Sequence, residues 1–322
     1  MSLTHQTLET AVGWFLFHCE YEKRLNPKTL QAYTSDLNQM VSFMREAGLS
    51  LISQVTPDVL RAYLKSLAAY KAKTIKRKVA SAKAFFNYLE QEFEDYHNPL
   101  RKVRVRIKVP LMLPNVLTLA EIGQILSYLY EQRDNASCDR ERQREKQLRL
   151  LAMVELLFGA GLRVSELCTL RLGDIDLREG LVRVYGKGSR ERVIQICQAP
   201  IISALEDYLL ATDYRGADAT RPLFLNLRGD ALDAQSVRAS IKKLAREAGI
   251  NKRVTPHTFR HTLATLLLEE GVDIKYIQTI LGHSSLSTTQ IYTHVTNTRQ
   301  KIILRDFHPR RRLLASSDAG KR

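Results

Sequence analysis

The chain has 322 residues, 44% hydrophobic and 26% charged, the composition of a folded, water-soluble protein of about two domains. Its 49 basic and 34 acidic residues leave a net charge of +15, which favours a polyanionic partner, nucleic acid before an anionic membrane. No run approaches the roughly 20 apolar residues of a bilayer span, no signal-peptide pattern opens the chain, and Cys19, Cys138, Cys168 and Cys197 form no C-x-x-C pair, so membrane and disulfide-stapled classes are set aside for a cytoplasmic, nucleoid-associated protein.

The first hundred residues predict helices. Asn26 is placed to cap one, Pro27 takes its first position, and Leu30, Tyr33, Leu37, Met40, Val41 and Met44 recur at three- and four-residue steps until Gly48. Thr56-Pro57 opens a second helix, and TIKRKVASAKAFFNYLEQE forms a third with a basic start and Phe85, Phe86 and Leu89 near its end. Seven basic and no acidic residues lie between Lys65 and Lys83, which suits a helix laid on DNA phosphates better than a merely solvated face. RKVRVRIK, residues 101–108, adds five more basic residues between Pro99 and Pro110 and reads as an extended linker.

From Thr118 the pattern changes. Thr118 and Glu121 have the spacing of a capping box, residues 131–147 are almost wholly polar and read as a helix extension or a loop, and LRLLAMVELLFGAG is an apolar helix ended by Gly159 and Gly161. GLVRVYGKGSRERVIQI alternates on both sides of Gly186-Lys187-Gly188-Ser189, a strand, turn, strand signal. Everything after Pro200 reads as helical, down to Arg310, Arg311 and Arg312. The expected fold is mainly α with one small β-sheet.

HTFRHTLATLLLEEGV, residues 257–272, places His257 and His261 four apart, as in half of a zinc-protease helix. Thr258 stands where the general base belongs and Arg260 would set a cation beside the metal, so His261 reads as a packed helix histidine and no metal is expected. His257 with Arg260, three apart, suits a phosphate instead, since arginine forks onto its oxygens and histidine can exchange a proton beside them. GLRVSEL adds Arg163, with Glu166 one turn on to orient it. Lys187, at the tip of a two-glycine turn, is either a solvated turn residue or an acid able to protonate a departing alkoxide. LGHSSLSTTQIYTHV, residues 281–295, holds His283, Tyr292 and His294. A tyrosine phenol titrates near about 10, so Tyr292 needs neighbours before it can act as a nucleophile.

GLRVSEL, the G-K-G-S hairpin, HTFRH and LGHSSLSTTQIYTHV, in this order, resemble the catalytic domain of the tyrosine recombinases of the Xer type over residues of about 118 to 295. The basic helical region before them resembles that family's SAM-like core-binding domain. The resemblance implies a core-binding domain over 1–100, a basic linker over 101–115, an α+β catalytic domain over 116–308 and a basic tail over 309–322, clamped around double-stranded DNA.

It further implies that Arg163, Arg260 and His283 hold the scissile phosphate, that Tyr292 attacks it to form a 3′ phosphotyrosyl link, and that Lys187 protonates the leaving 5′ oxygen. His257 would handle the tyrosine proton and Glu166 would support the site, with His294 structural. Strand exchange would pass through a Holliday junction on a homotetramer holding two sites, with a related recombinase or accessory protein as a further partner and with neither ATP nor a metal. Lys76, Arg77, Arg238, Lys242 and Lys243 are candidate DNA contacts. Ile302, Ile303, Leu304 and Phe307 are apolar anchors for docking onto a neighbouring protomer or within the same chain. Biological roles in dimer resolution and in mobile elements both stay open, and a non-catalytic DNA-binding regulator on the same scaffold is the alternative.

Overall fold

A computed structural model describes residues 3–108, 115–135, 141–186, 191–212, 217–226, 228–282 and 303–309. The chain divides into two compact units, Met1–Met112 and Leu113–Arg322.

The first unit is helical: α1 (Leu8–Phe17), α2 (Pro27–Glu46), α3 (Pro57–Ser66) and α4 (Ala72–Glu92), with a π-helical turn, His18–Glu22, continuing α1. Local chemistry sets their starts. The side chains of Thr7, Asn26 and Thr56 accept from backbone N–H groups of Thr10, Lys28 and Val59, and Pro27 and Pro57 occupy first-turn positions where no N–H is needed. The helices bury Phe15, Met40, Met44, Phe85, Phe86 and Leu89, with Phe15 edge-on to Phe85 at 5.8 Å.

Between α2 and α4 lies a buried polar cluster. Asp36 accepts from Arg77 Nη1 at 2.5 Å, Lys78 Nζ at 3.1 Å and Ser81 Oγ at 2.8 Å, so α4's basic run is partly committed to its own domain. The start of the basic segment is also less extended than its prolines suggest. Pro99–Lys102 makes a 3₁₀ turn, Arg101 pairs with Glu90, and Leu100 and Val103 join the first unit's core.

The second unit is built around α6 (Glu141–Gly159), which follows α5 (Leu119–Asp134). Every residue of α6 from Leu151 to Gly159 is buried, as befits a helix enclosed by others. The polar stretch 131–147 is helical on both flanks, and residues 136–140 lie outside the described residues. After α7 (Val164–Thr169) come β1 (Ile175–Asp176), β2 (Leu181–Tyr185) and β3 (Glu191–Gln195), an antiparallel sheet in that order. The β2–β3 hairpin matches the alternating pattern, and the two-residue β1 is too short to leave one.

The remaining helices are α8 (Ala199–Ala211), α9 (Ala234–Glu247), α10 (Pro256–Glu269) and α11 (Ile274–Leu281). The expectation of continuous helix after Pro200 fails between α8 and α9. Arg171 bridges to Pro222 and Leu225 to Ala231, while Asn226 Oδ1 accepts from the N–H groups of Arg228 and Asp230. Pro222 and the Asn226 turn replace helical hydrogen bonds with loop ones, and Leu223, Phe224 and Leu225 are buried in this non-helical segment. Residues 303–309 pack into the same unit: Ile303, Leu304 and His308 are buried, and Gln198 Nε2 donates to the Leu304 carbonyl at 3.1 Å. Phe307 is exposed, and Ile302 lies outside the described residues. No described helix is long and apolar enough to cross a membrane.

Candidate active site

The site forms where α7, β3, α10 and α11 end or begin. Gly161 turns the chain out of α6 with φ of +61°, a conformation glycine adopts without strain, and a Cβ there would stand 2.6 Å from Leu281. Arg163 is the N-cap residue of α7. Its backbone N–H donates to Glu166 Oε2 at 2.8 Å, and its own Nη1 donates to Glu166 Oε1 at 2.6 Å. Arg163 Nη2 reaches across to the carbonyl of Gly282 at 2.7 Å, at the left-handed C-cap of α11.

Glu166 is buried and is gripped from the other side by Arg192 of β3. Arg192 Nη1 donates to Oε1 and Nη2 to Oε2, each at 2.8 Å, a parallel fork. Burial pushes the Glu166 carboxyl up, but the hydrogen bonds and charges of Arg192 and Arg163 more than offset this and hold it at about 2.

Arg260 comes from α10, whose start is set by Thr255 and Thr258 in a reciprocal cap with Pro256 in the first turn. Thr258, where a zinc protease carries its base, is therefore a capping residue, its hydroxyl accepting from the Thr255 N–H at 3.1 Å. The Arg260 side chain is buried: Nη1 donates to the Gly161 carbonyl at 2.6 Å and Nη2 to the Leu281 carbonyl. Burial, then the charge of Arg163, lowers its guanidinium to about 10, so it stays protonated at neutral pH. Both arginines thus tie the Gly161–Arg163 turn to the end of α11, the residue before His283.

His257 is exposed one turn before Arg260. Partial desolvation, then the charges of His261, Arg260, Arg238 and Arg163, lower its pKa and favour the neutral ring able to accept a proton. His261 is exposed as well, which corrects the expectation of a packed residue: its position on α10 faces away from the buried side carrying Phe259, Thr262, Leu263 and Leu266. No group of three metal-ligating side chains occurs among the described residues.

Arg163 and Arg192 both bond the Glu166 carboxylate and Arg260 lies within range of its charge, so the four groups together carry two net positive charges. Of the expected site residues, Arg163, Glu166, His257 and Arg260 are brought together here. Lys187, His283, Tyr292 and His294 lie outside the described residues. Among the DNA-contact candidates, Lys76, Arg77, Arg238, Lys242 and Lys243 are all exposed, with Arg77 tied to Asp36 and Lys243 paired with Glu247 at 3.4 Å. Arg238 lies near enough to influence His257.

Arg192 escaped the motif reading. Its signal is period two: residues 192, 194 and 196 share a strand face on which Ile194 and Ile196 are buried, an inward position that a guanidinium occupies only with a partner.

Residues 116–299 match the phage integrase family, and residues 14–92 match the N-terminal SAM-like domain of phage integrases. A tyrosine recombinase of Agathobacter rectalis is 40% identical over 306 residues, covering 94% of this chain and 98% of its own. Tyrosine recombinase XerC of Thermodesulfovibrio yellowstonii is 37% identical over 289 residues, 87% of this chain and 90% of its own. The fold matches XerH bound to a palindromic difH substrate in a post-cleavage complex, with a TM-score of 0.65 at 20% identity over 95% of this chain and 84% of that one. It also matches a lambda integrase tetramer bound to a Holliday junction, with a TM-score of 0.65 at 20% identity over 88% and 76%.

Proposed function

The chain belongs to the phage integrase family of tyrosine recombinases, enzymes of site-specific DNA recombination, and from that premise we propose how its residues divide the work. Arg163 and Arg260 clamp the non-bridging oxygens of the scissile phosphate together with His283. Tyr292 attacks the phosphorus, its proton passes to His257, and Lys187 protonates the departing 5′ oxygen. The observation that carries this reading is the anchored guanidinium pair with two uncompensated positive charges.

A phosphodiester repels anionic nucleophiles, and fixed cations aimed at its oxygens lower the barrier without reorganising during the reaction. A preorganised donor of this kind is worth about 3 to 4 kcal/mol in the chemical step. The 3′ phosphotyrosyl link keeps the phosphodiester energy for religation, so no ATP is needed. Two such exchanges make and resolve a Holliday junction, and we assign the working unit as a homotetramer on two duplex sites in the cytoplasm. In this reading residues 1–100 bind the core site, 101–115 link, 116–308 carry the chemistry and 309–322 form the tail. Lys76, Arg238, Lys242 and Lys243 supply DNA contacts, of which those to phosphate position the protein without reading sequence, while Arg77 is held by Asp36.

The deciding experiment incubates the full chain, in EDTA, with a nicked suicide substrate bearing its recombination site. The wild type is expected to form a covalent DNA adduct stable to denaturing electrophoresis, and Tyr292→Phe none. A verified site that is bound while neither protein forms an adduct would transfer the chain to the non-catalytic DNA-binding class.

A further inference from the structure

Arg192 has no task in the reaction just described, yet it is bonded to the same carboxylate as Arg163. Both of its terminal nitrogens fork onto Glu166, and its Nε is buried with no hydrogen bond among the described residues. Gly282 roofs the guanidinium: a Cβ built there would stand 3.0 Å from Arg192 Nη1, so the residue whose carbonyl receives Arg163 also covers Arg192. Resting on the clamp reading above, we propose that Arg192 is a positioning residue that takes up the charge of Glu166, leaving Arg163 its full positive charge for the scissile phosphate.

The argument is one of charge balance. Glu166 is needed to orient Arg163, through both the backbone N–H and Nη1. Alone it would also neutralise Arg163 and compete with the phosphate for the same donors. A second guanidinium on the far side of the carboxylate removes that cost, because each Glu166 oxygen then accepts one bond from Arg192 and one from Arg163. The site keeps two net positive charges with Arg192 and would keep one without it. Arg192 itself has no terminal nitrogen free of the carboxylate, so it acts through Glu166 and Arg163.

The test is a double-mutant cycle on the full-length protein, reading single-turnover adduct formation on the suicide substrate together with DNA affinity and the melting temperature. Arg192→Met is expected to slow cleavage by roughly 10- to 100-fold, the usual size for loss of a group that orients a site residue, with affinity within about threefold by the same reasoning that it touches no phosphate. Arg192→Met combined with Glu166→Gln is expected to cleave faster than either single variant, since removing the carboxylate removes the need for its counter-charge. Arg192→Lys, which keeps the charge, is expected to be faster than Arg192→Met and covers the case in which the methionine variant folds poorly.

Strictly additive losses in the double variant, or a lysine variant no better than methionine, overturn the proposal in favour of an independent or purely space-filling role. Absence of an adduct from the wild type would instead remove the clamp reading itself, and the positioning role with it.

Discussion

The backbone N–H of Leu117 donates to Thr262 Oγ1 at 2.9 Å, joining the segment ahead of α5 to the helix that carries Arg260 two residues earlier. The bond is buried, and neighbouring contacts run the same way: Asn115 Nδ2 donates to the Arg253 carbonyl at 2.7 Å and Lys252 pairs with Glu121 at 2.8 Å. Thr262→Val keeps the shape and removes the acceptor, leaving a buried N–H without a partner at a cost of about 1–3 kcal/mol. For a unit of this size that lowers the melting temperature by roughly 2–4 °C per kcal/mol, while Thr262→Ser stays near the wild type. Calorimetry of the three proteins checks this, and equal melting temperatures for valine and wild type would show the bond to be worth nothing.

Glu166 is expected to make the second unit sensitive to acid in a defined window. Its folded pKa of about 2 lies below the ordinary 4.5, so the ionised form is the one the fold stabilises. That stabilisation is complete above pH 4.5 and is lost as pH falls towards 2. The difference corresponds to on the order of 3 kcal/mol. Glu166→Gln cannot titrate, and at neutral pH it leaves the half-buried Arg192 without its anion. The unfolding free energies of wild type and variant are therefore expected to differ most above pH 5 and to converge as pH falls from 4.5 towards 2. A gap that stays constant from pH 6 to 3 would mean that Glu166 is not the charge holding the two arginines.

Much of this architecture was legible because it is local. Asn26 with Pro27, and Thr118 with Glu121, announce helix starts through bonds spanning two or three residues, and the alternation around Gly186 announces the β2–β3 hairpin. Arg163 and Arg260 stand in recognisable motifs, but their anchoring depends on carbonyls of Gly161, Leu281 and Gly282 brought together by the fold. The Arg192–Glu166 fork spans 26 residues and the Arg77–Asp36 pair 41, separations at which spacing carries no information. The loop between α8 and α9 was missed because apolar Leu223, Phe224 and Leu225 fit a helix and a buried extended segment equally well.

Lys76, Arg77 and Lys78 are adjacent cations on one helix that differ in burial and pairing. Lys76 is exposed with no ion pair among the described residues, Arg77 is exposed but held by Asp36, and Lys78 is buried against the same carboxylate. Lys76→Ala is expected to weaken DNA binding at all sequences alike and to reduce the slope of log affinity against log salt by about 1, without changing the melting temperature. Asp36→Asn should do the reverse. It strands the Lys78 ammonium in the interior, which costs about 3–5 kcal/mol of stability, while the number of phosphates neutralised by folded protein is unchanged. Salt titrations of binding beside unfolding curves separate the two effects. If Asp36→Asn steepened the salt slope at wild-type stability, the carboxylate would be restraining a DNA-binding cation in the free protein, and Arg77 and Lys78 would serve binding rather than folding.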